Sequence, residues 1–172
     1  MNRLIVDGSN FYHGCERISP GIHLTGFSYR DFFEKITGIK KLEIIYCVGE
    51  IIQGRDKKSR ELYAQQQKLF YNLEKQKIQI CKGFMLFSNG AYHEKGVDVR
   101  IAIEIVRGAL KNEFEKCFLV SSDSDLLPAV FEAIKAQKTI VYVGFSDKNS
   151  QVLLKNCNRV IEITPKQLLA VE

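Results

Sequence analysis

Nowhere in its 172 residues does the chain carry the ~20 consecutive apolar residues that a membrane-spanning helix requires. The N-terminus passes from Arg3 through three apolar residues directly to Asp7, so neither a signal peptide nor an anchor is expected. Its five cysteines, Cys15, Cys47, Cys81, Cys117 and Cys157, are dispersed, odd in number and form no CxxC pair. That argues against a disulfide framework and against a zinc site, and the expectation is reduced thiols in a cytoplasmic protein. Neither GxGxxG nor GxxxxGK[ST] occurs, which removes motif support for a nucleotide-cofactor enzyme. Internal repeats and low-complexity segments are lacking too.

With 45% hydrophobic residues, the length suits one domain, residues 1–172, with a substantial core. The net charge of +5 is unevenly placed. Between Arg55 and Lys82 stand eight basic and three acidic residues, a surplus that accounts for the whole of it. Such a stretch is either a solvated helix face or a footprint for a phosphate backbone.

One stretch organises the rest, Phe118 to Pro128 (FLVSSDSDLLP). Phe118 to Val120 reads as a buried strand, and Ser121 to Asp125 as the turn and first helical turn that follow it. Asp123 and Asp125 therefore lie near the C-terminal edge of a strand, where open α/β sheets bind ligands. Capping alone needs one such residue and contributes ~1 kcal/mol. Two carboxylates about 4 Å apart repel by about 1 kcal/mol in water and about 4 kcal/mol at an effective dielectric near 20, so further converging acids would call for a cation.

Arg3 to Asp7 reads as the first strand, with Gly8, Ser9 and Asn10 forming a turn after it. Asp7 and Asn10, three apart, can share one side of that turn; an Asx-type turn is the bland alternative. His13 is given no role. Ile18 to Ser28 reads as a loop, Tyr29 to Thr37 as a helix and Leu42 to Val48 as a second buried strand. Lys57 to Lys75 is a long helix with Leu62, Gln66, Leu69 and Leu73 along one side. Ile78 to Phe84 is a third strand, and Met85 to Glu94 a loop containing Asn89 and Gly90.

Gly96 to Leu110 reads as a helix whose Arg100, Glu104, Arg107 and Lys111 form one solvated stripe. Asp98 shares the opposite face with Ile101, Ala102 and Ile105, where a carboxylate needs a partner or caps the helix start. Leu126 to Ala136 continues as a helix with Ala129, Val130, Ala133 and Ile134 inward. Thr139 to Phe145 is a strand, Ser146 to Asn156 a short capped helix, Arg159 to Ile163 a last strand, and Pro165 to Val171 a helix opened by proline. Strands alternating with helices imply an α/β fold with a mostly parallel central sheet covered on both faces.

Three elements thus each bring acids toward what could be one edge: Asp7 with Asn10, Asp98, and Asp123 with Asp125. An all-oxygen set of this kind suits Mg²⁺ or Mn²⁺ rather than zinc or copper. DGSN at Asp7 to Asn10, KGVDV at Lys95 to Val99 and SSDSDLLP at Ser121 to Pro128 resemble, in order and spacing, the three motifs of the NYN domains, a branch of the PIN-like nucleases. The following strand, KTIVYVG at Lys138 to Gly144, agrees as well. The resemblance implies a PIN-like three-layer α/β/α sandwich and a metal-dependent ribonuclease, with Asp7, Asn10, Asp98, Asp123 and Asp125 at the family's metal-site positions. The chain departs from the family in carrying Glu104 where an aspartate is common, and Leu126 where an aromatic is. Glu104 falls on the solvated stripe, where pairing with Arg100 or Arg107 is expected.

The reaction expected is hydrolysis of an RNA phosphodiester, with bound metal lowering the pKa of a water and neutralising charge on the phosphate. Asp7, Asp98 and Asp123 would be ligands, Asp125 a ligand or the group orienting the water, and Asn10 a contact to phosphate or metal-bound water. Ser9 and Ser122 would shape the turns. Arg55, Lys57, Lys58 and Arg60 could follow the RNA backbone, with Tyr12 or Tyr63 available for stacking. Two rival classes remain. One is a catalytically silent RNA-binding or protein-interaction module. The other is a phosphoryl-transfer or receiver domain, disfavoured because Asp7 is followed by Gly8 and Ser9 and no paired acids stand near the N-terminus. The oligomeric state is open, a homo-oligomer included.

Overall fold

The seven strands are β1 (Asn2–Asp7), β2 (Glu43–Glu50), β3 (Gln79–Ser88), β4 (Ala91–Lys95), β5 (Lys116–Val120), β6 (Thr139–Phe145) and β7 (Arg159–Ile163). In this computed structural model, which describes residues 1–88 and 91–170, they form one sheet in the order β4-β3-β2-β1-β5-β6-β7. Every neighbouring pair is parallel except β3 with β4. The chain lays down β1, builds outward through β2 and β3, then returns to β1's other side for β5. The reversal of strand order therefore falls between β1 and β5, the position at which open α/β sheets leave a crevice.

Among the described residues seven α-helices cover the two faces: α1 (Gly8–Ile18), α2 (Tyr29–Thr37), α3 (Lys57–Lys75), α4 (Val97–Leu110), α5 (Leu127–Lys135), α6 (Gln151–Asn156) and α7 (Pro165–Leu169). Strand side chains alternate between faces, so β1 sends Leu4 and Val6 to one core and Ile5 to the other. The first core packs against α1, α2, α3 and α7, the second against α4, α5 and α6. The result is a three-layer α/β/α sandwich.

The first core fixes α1. Phe11 lies among Phe27, Tyr29, Phe32, Phe33 and Phe145 with ring centroids 5.4 to 6.3 Å apart. Gly14 lets the helix approach closely, because a Cβ there would overlap the Phe145 ring. Since α1 starts directly after β1, this packing also fixes the direction in which Asp7 leaves the sheet. At the opposite end of β1, Arg3 is buried and donates to Glu43 at 2.7 and 3.1 Å and to Glu113 at 3.0 Å.

Several elements differ from expectation. Gly8, Ser9 and Asn10 are the first turn of α1 rather than a free turn. Residues 18–28 hold a short 3-10 turn, Leu24–Gly26, and bury Ile22, Leu24 and Phe27. Between Met85 and Glu94 there is no simple loop: β3 runs on to Ser88 and pairs with β4, while Asn89 and Gly90 lie outside the described residues. In α3, Gln66 and Leu73 are buried as expected, Leu62 is exposed and Phe70 takes the inward place. The segment from Ser146 becomes helical only at Gln151, capped by Ser150. The last helix ends at Leu169, and Val171 lies outside the described residues.

Candidate active site

Asp7 ends β1 as the N-cap of α1, accepting the Asn10 amide N–H at 3.0 Å through Oδ1. Its Oδ2 accepts from Asn10 Nδ2 at 3.0 Å and from the Ser121 hydroxyl at 2.9 Å. The register explains the second contact: Val6 pairs with Val120, so Asp7 and Ser121 leave neighbouring strands side by side. Asn10 closes the circuit by accepting the Ser122 N–H on Oδ1 at 3.2 Å. Its amide is thus engaged in holding Asp7 to the loop after β5, a bracing role the sequence did not reveal.

On the β5 side, the Ser121 hydroxyl also accepts the Asp123 N–H at 3.1 Å. Asp123 caps a 3-10 turn, Ser124–Leu126, by accepting the Asp125 N–H at 2.9 Å. α5 starts one residue later, at Leu127 rather than Leu126. Asp7 is buried, Asp123 half-buried and Asp125 exposed, so the acids step outward from the sheet toward solvent. Ser122 Oγ lies 3.4 Å from the Tyr142 hydroxyl. Asp7, Asn10, Ser121, Ser122, Asp123 and Asp125 therefore form one hydrogen-bonded constellation across the β1–β5 crevice.

Asp98 reaches the same edge by another route. Lys95, the last residue of β4, pairs with Phe84, which lies beside Glu50 at the end of β2. α4 thus begins at the C-terminal edge of the parallel strands, with Asp98 in its first turn. Its side chain is exposed, which corrects the expectation that it occupies a buried face. A hydrated carboxylate beside the positive helix end needs no buried partner.

Glu104 is the opposite correction: it is 8% exposed rather than solvated. Both its carboxylate oxygens accept from Arg107 at 2.6 Å, and its backbone carbonyl accepts from Arg3 at 3.3 Å. Six residues along α4 are about 9 Å of rise, so Glu104 belongs with the Arg3 network at the far end of β1 and not with the aspartates.

Sequence reasoning missed Glu94. From β4 it accepts the Ser9 hydroxyl at 3.1 Å and the Gly49 N–H at 2.6 Å, tying the start of α1 to the end of β2. Tyr46 adds a donor to the Gly8 carbonyl at 3.5 Å, and burial holds its phenol well above the ordinary range, so it remains neutral. Arg55, Lys57, Lys58 and Arg60 are exposed on the approach to α3 and its first turn, Tyr12 is 48% exposed, and Tyr63 is half-buried.

Residues 3–164 match the family model of the NYN domain. The chain belongs to the NYN domain family. NYN domains have a PIN-like nuclease fold and are generally nucleases, which makes hydrolysis of nucleic acid the class of chemistry for this fold. A crystal structure of a protein of unknown function from Vibrio parahaemolyticus RIMD 2210633 is similar with a TM-score of 0.67 at 19% identity, over 94% of this chain and 91% of that one, and supports the fold. No curated protein matches the chain in sequence. No helix among the described residues is long and apolar enough to cross a membrane.

NYN nucleases usually use divalent metals. Among the described residues no three His, Cys, Asp or Glu side chains lie close enough to enclose one. The donors at the crevice nevertheless suit a hard cation, being carboxylate, carboxamide and hydroxyl oxygens. Mg²⁺ in particular keeps several waters and is commonly held by one or two carboxylates together with substrate phosphate, and Asp7 at the end of β1 and Asp123 in the loop after β5 offer two carboxylates.

Proposed function

We propose that this NYN domain is a metal-dependent ribonuclease that hydrolyses RNA phosphodiester bonds at the β1–β5 crevice. The observation that supports this most is the bridging of Asp7 to the Asp123 loop by Ser121 and Asn10 at the switch point of the sheet. Asp7, Asp98 and Asp123 would hold Mg²⁺ or Mn²⁺ directly or through water. When bound, such a metal supplies an activated water and neutralises phosphate charge.

The remaining work falls to the chain. Asn10 and Ser121 orient the Asp7 carboxylate, and Asp125, outermost of the acids, orients the attacking water or adds a ligand. Arg55, Lys57, Lys58 and Arg60 draw the RNA backbone toward an edge that its own acids would otherwise repel. No Ser or Cys nucleophile is required.

A second reading, a catalytically silent RNA-binding or protein-interaction module, draws on the exposed Asp98 and the lack of a three-acid group among the described residues. Digestion of a short RNA in ¹⁸O-labelled water, followed by mass spectrometry, separates the two. The ribonuclease reading predicts Mn²⁺- or Mg²⁺-dependent fragments carrying ¹⁸O on a new terminal phosphate. RNA bound but left intact would favour the silent module. Cyclic phosphate ends without the label would overturn attack by water.

A further inference from the structure

We propose that the cleft between α1 and α3 is a nucleobase subsite, in which the base of an unpaired nucleotide next to the scissile phosphate rests against Tyr12. The placement next to the scissile phosphate rests on the ribonuclease reading; the recognition of a base does not. The cleft has a volume of about 680 Å³ and is lined in part by Gly8 and Ser9, the two residues that follow Asp7. A nucleotide whose phosphate lay at Asp7 would therefore have this cavity beside it.

The chemistry of the lining matches a base, which is apolar on its faces and polar at its edge. Ile22, Val48 and Leu69 supply an apolar floor, and Tyr12, Gln65 and Lys68 a polar and aromatic rim. A few polar groups around an apolar concavity are the general form of a small-ligand site. Tyr12 is 48% exposed on α1, although Phe11 beside it is fully buried, so its ring is presented outward.

The two adjacent glutamines of α3 divide the same way. Gln66 is buried, with its amide spent on the Gly49 carbonyl at 2.8 Å and the Ile51 N–H at 2.7 Å. Gln65 is exposed and holds a donor and an acceptor at the rim, the pair that the edge of a base requires. Exposed Lys68 lies one helical turn from Gln65, where the phosphate of a neighbouring nucleotide would find it. Glu16, half-buried on the α1 wall, suits an exocyclic amino group as an acceptor.

A paired, stacked base cannot enter such a cavity, whereas a splayed base can stack on an aromatic ring and bond along its edge. The subsite therefore carries a preference for unpaired RNA.

Fluorescence anisotropy in EDTA tests this with binding alone, using a short labelled single-stranded RNA, its duplex, and the same strand with one abasic nucleotide at each position in turn. The wild type is expected to prefer the single strand. Tyr12→Ala should weaken that binding on the order of tenfold, the usual scale for loss of one base–aromatic stack, while Tyr12→Phe should stay within about twofold. An abasic nucleotide at the sensitive position should weaken the wild type by a similar factor and leave Tyr12→Ala little changed, since the two changes remove one shared contact. Unchanged affinity of Tyr12→Ala, or an equal loss on intact and abasic RNA, would overturn the subsite. Cleavage is read separately after adding Mn²⁺. Tyr12-dependent base discrimination without cleavage would overturn the ribonuclease reading and keep the base subsite; cleavage with Tyr12-independent binding would overturn the subsite alone.

Discussion

Replacing Asp7 separates what its carboxylate does for the fold from what it does for the reaction. Asp7→Ala removes the N-cap of α1, which costs about 1 kcal/mol, and takes the acceptor from the Ser121 hydroxyl, a group only 3% exposed. A buried donor left without a partner costs about 1–3 kcal/mol. The hydroxyl can rotate, and the half-buried Asn10 amide can reach water, so the low end applies and the sum is about 2 kcal/mol. Asp7→Asn keeps an acceptor for the cap but loses the charge at the helix N-terminus, worth about 0.5 kcal/mol, and turns one acceptor into a donor facing Asn10 Nδ2. Its cost should be about 1 kcal/mol. Urea denaturation at unchanged slope reads both values. In a domain of this size the alanine variant should also melt about 4–8 °C lower. Both variants should lose RNA cleavage, although the asparagine variant remains mostly folded. An alanine variant as stable as the wild type would refute the assignment of Asp7 as a cap and anchor. An asparagine variant that loses more than the alanine one would refute the accounting of its hydrogen bonds.

Three other predictions concern the frame around the site. Gly14→Ala places a methyl in the Phe145 ring and should cost about 1–3 kcal/mol in urea; a neutral effect would show that α1 does not press on β6. Arg3→Met leaves Glu43, Glu104 and Glu113 without their shared cation, and because Glu43 and Glu113 are partly hydrated the loss should be about 3 kcal/mol, the low end for a broken buried pair; a stability gain would show that Phe114 and its neighbours accept an apolar replacement. Cys81 should be the first thiol alkylated by iodoacetamide. Cys47, opposite it across β2 and β3, holds the half-buried Cys81 thiol below the ordinary cysteine range, while burial pushes Cys15, Cys117 and Cys157 up. The Cys81 labelling rate should rise at lower pH than that of the other thiols, and peptide mapping that found Cys157 labelled first would contradict this.

Six of the strands and the longest helix were legible because their apolar pattern is local: Leu4, Ile5 and Val6 form the short continuous apolar run of a strand buried on both faces, and α3 matches its expected span from Lys57 to Lys75. α1 was not, because Gly8, Ser9, Asn10 and Gly14 are poor helix formers, and an Asp-to-Asn contact three residues apart fits both an Asx turn and an N-cap. The Asn89-Gly90 dipeptide is the usual hairpin signal and could have exposed β4, and with it Glu94. The link from Asp7 to the Asp123 loop through Ser121 follows from β1 and β5 being parallel neighbours that end side by side. Glu104 pairs with Arg107 as expected, but its burial was missed, although it recurs with Val97 and Ile101 on the inward face of α4; its contact with Arg3, 101 residues away, left no local trace.

The central claim is that the aspartates at the β1–β5 crevice hydrolyse RNA with a divalent metal. Its most direct test is cleavage of single-stranded and structured RNA by the wild type with Mn²⁺, Mg²⁺ or EDTA, beside a folded Asp123→Asn variant purified in the same way. The account predicts cleavage with metal, none in EDTA and none by the variant. Equal cleavage by the variant, or a wild type inert with every metal while still binding RNA, would contradict it.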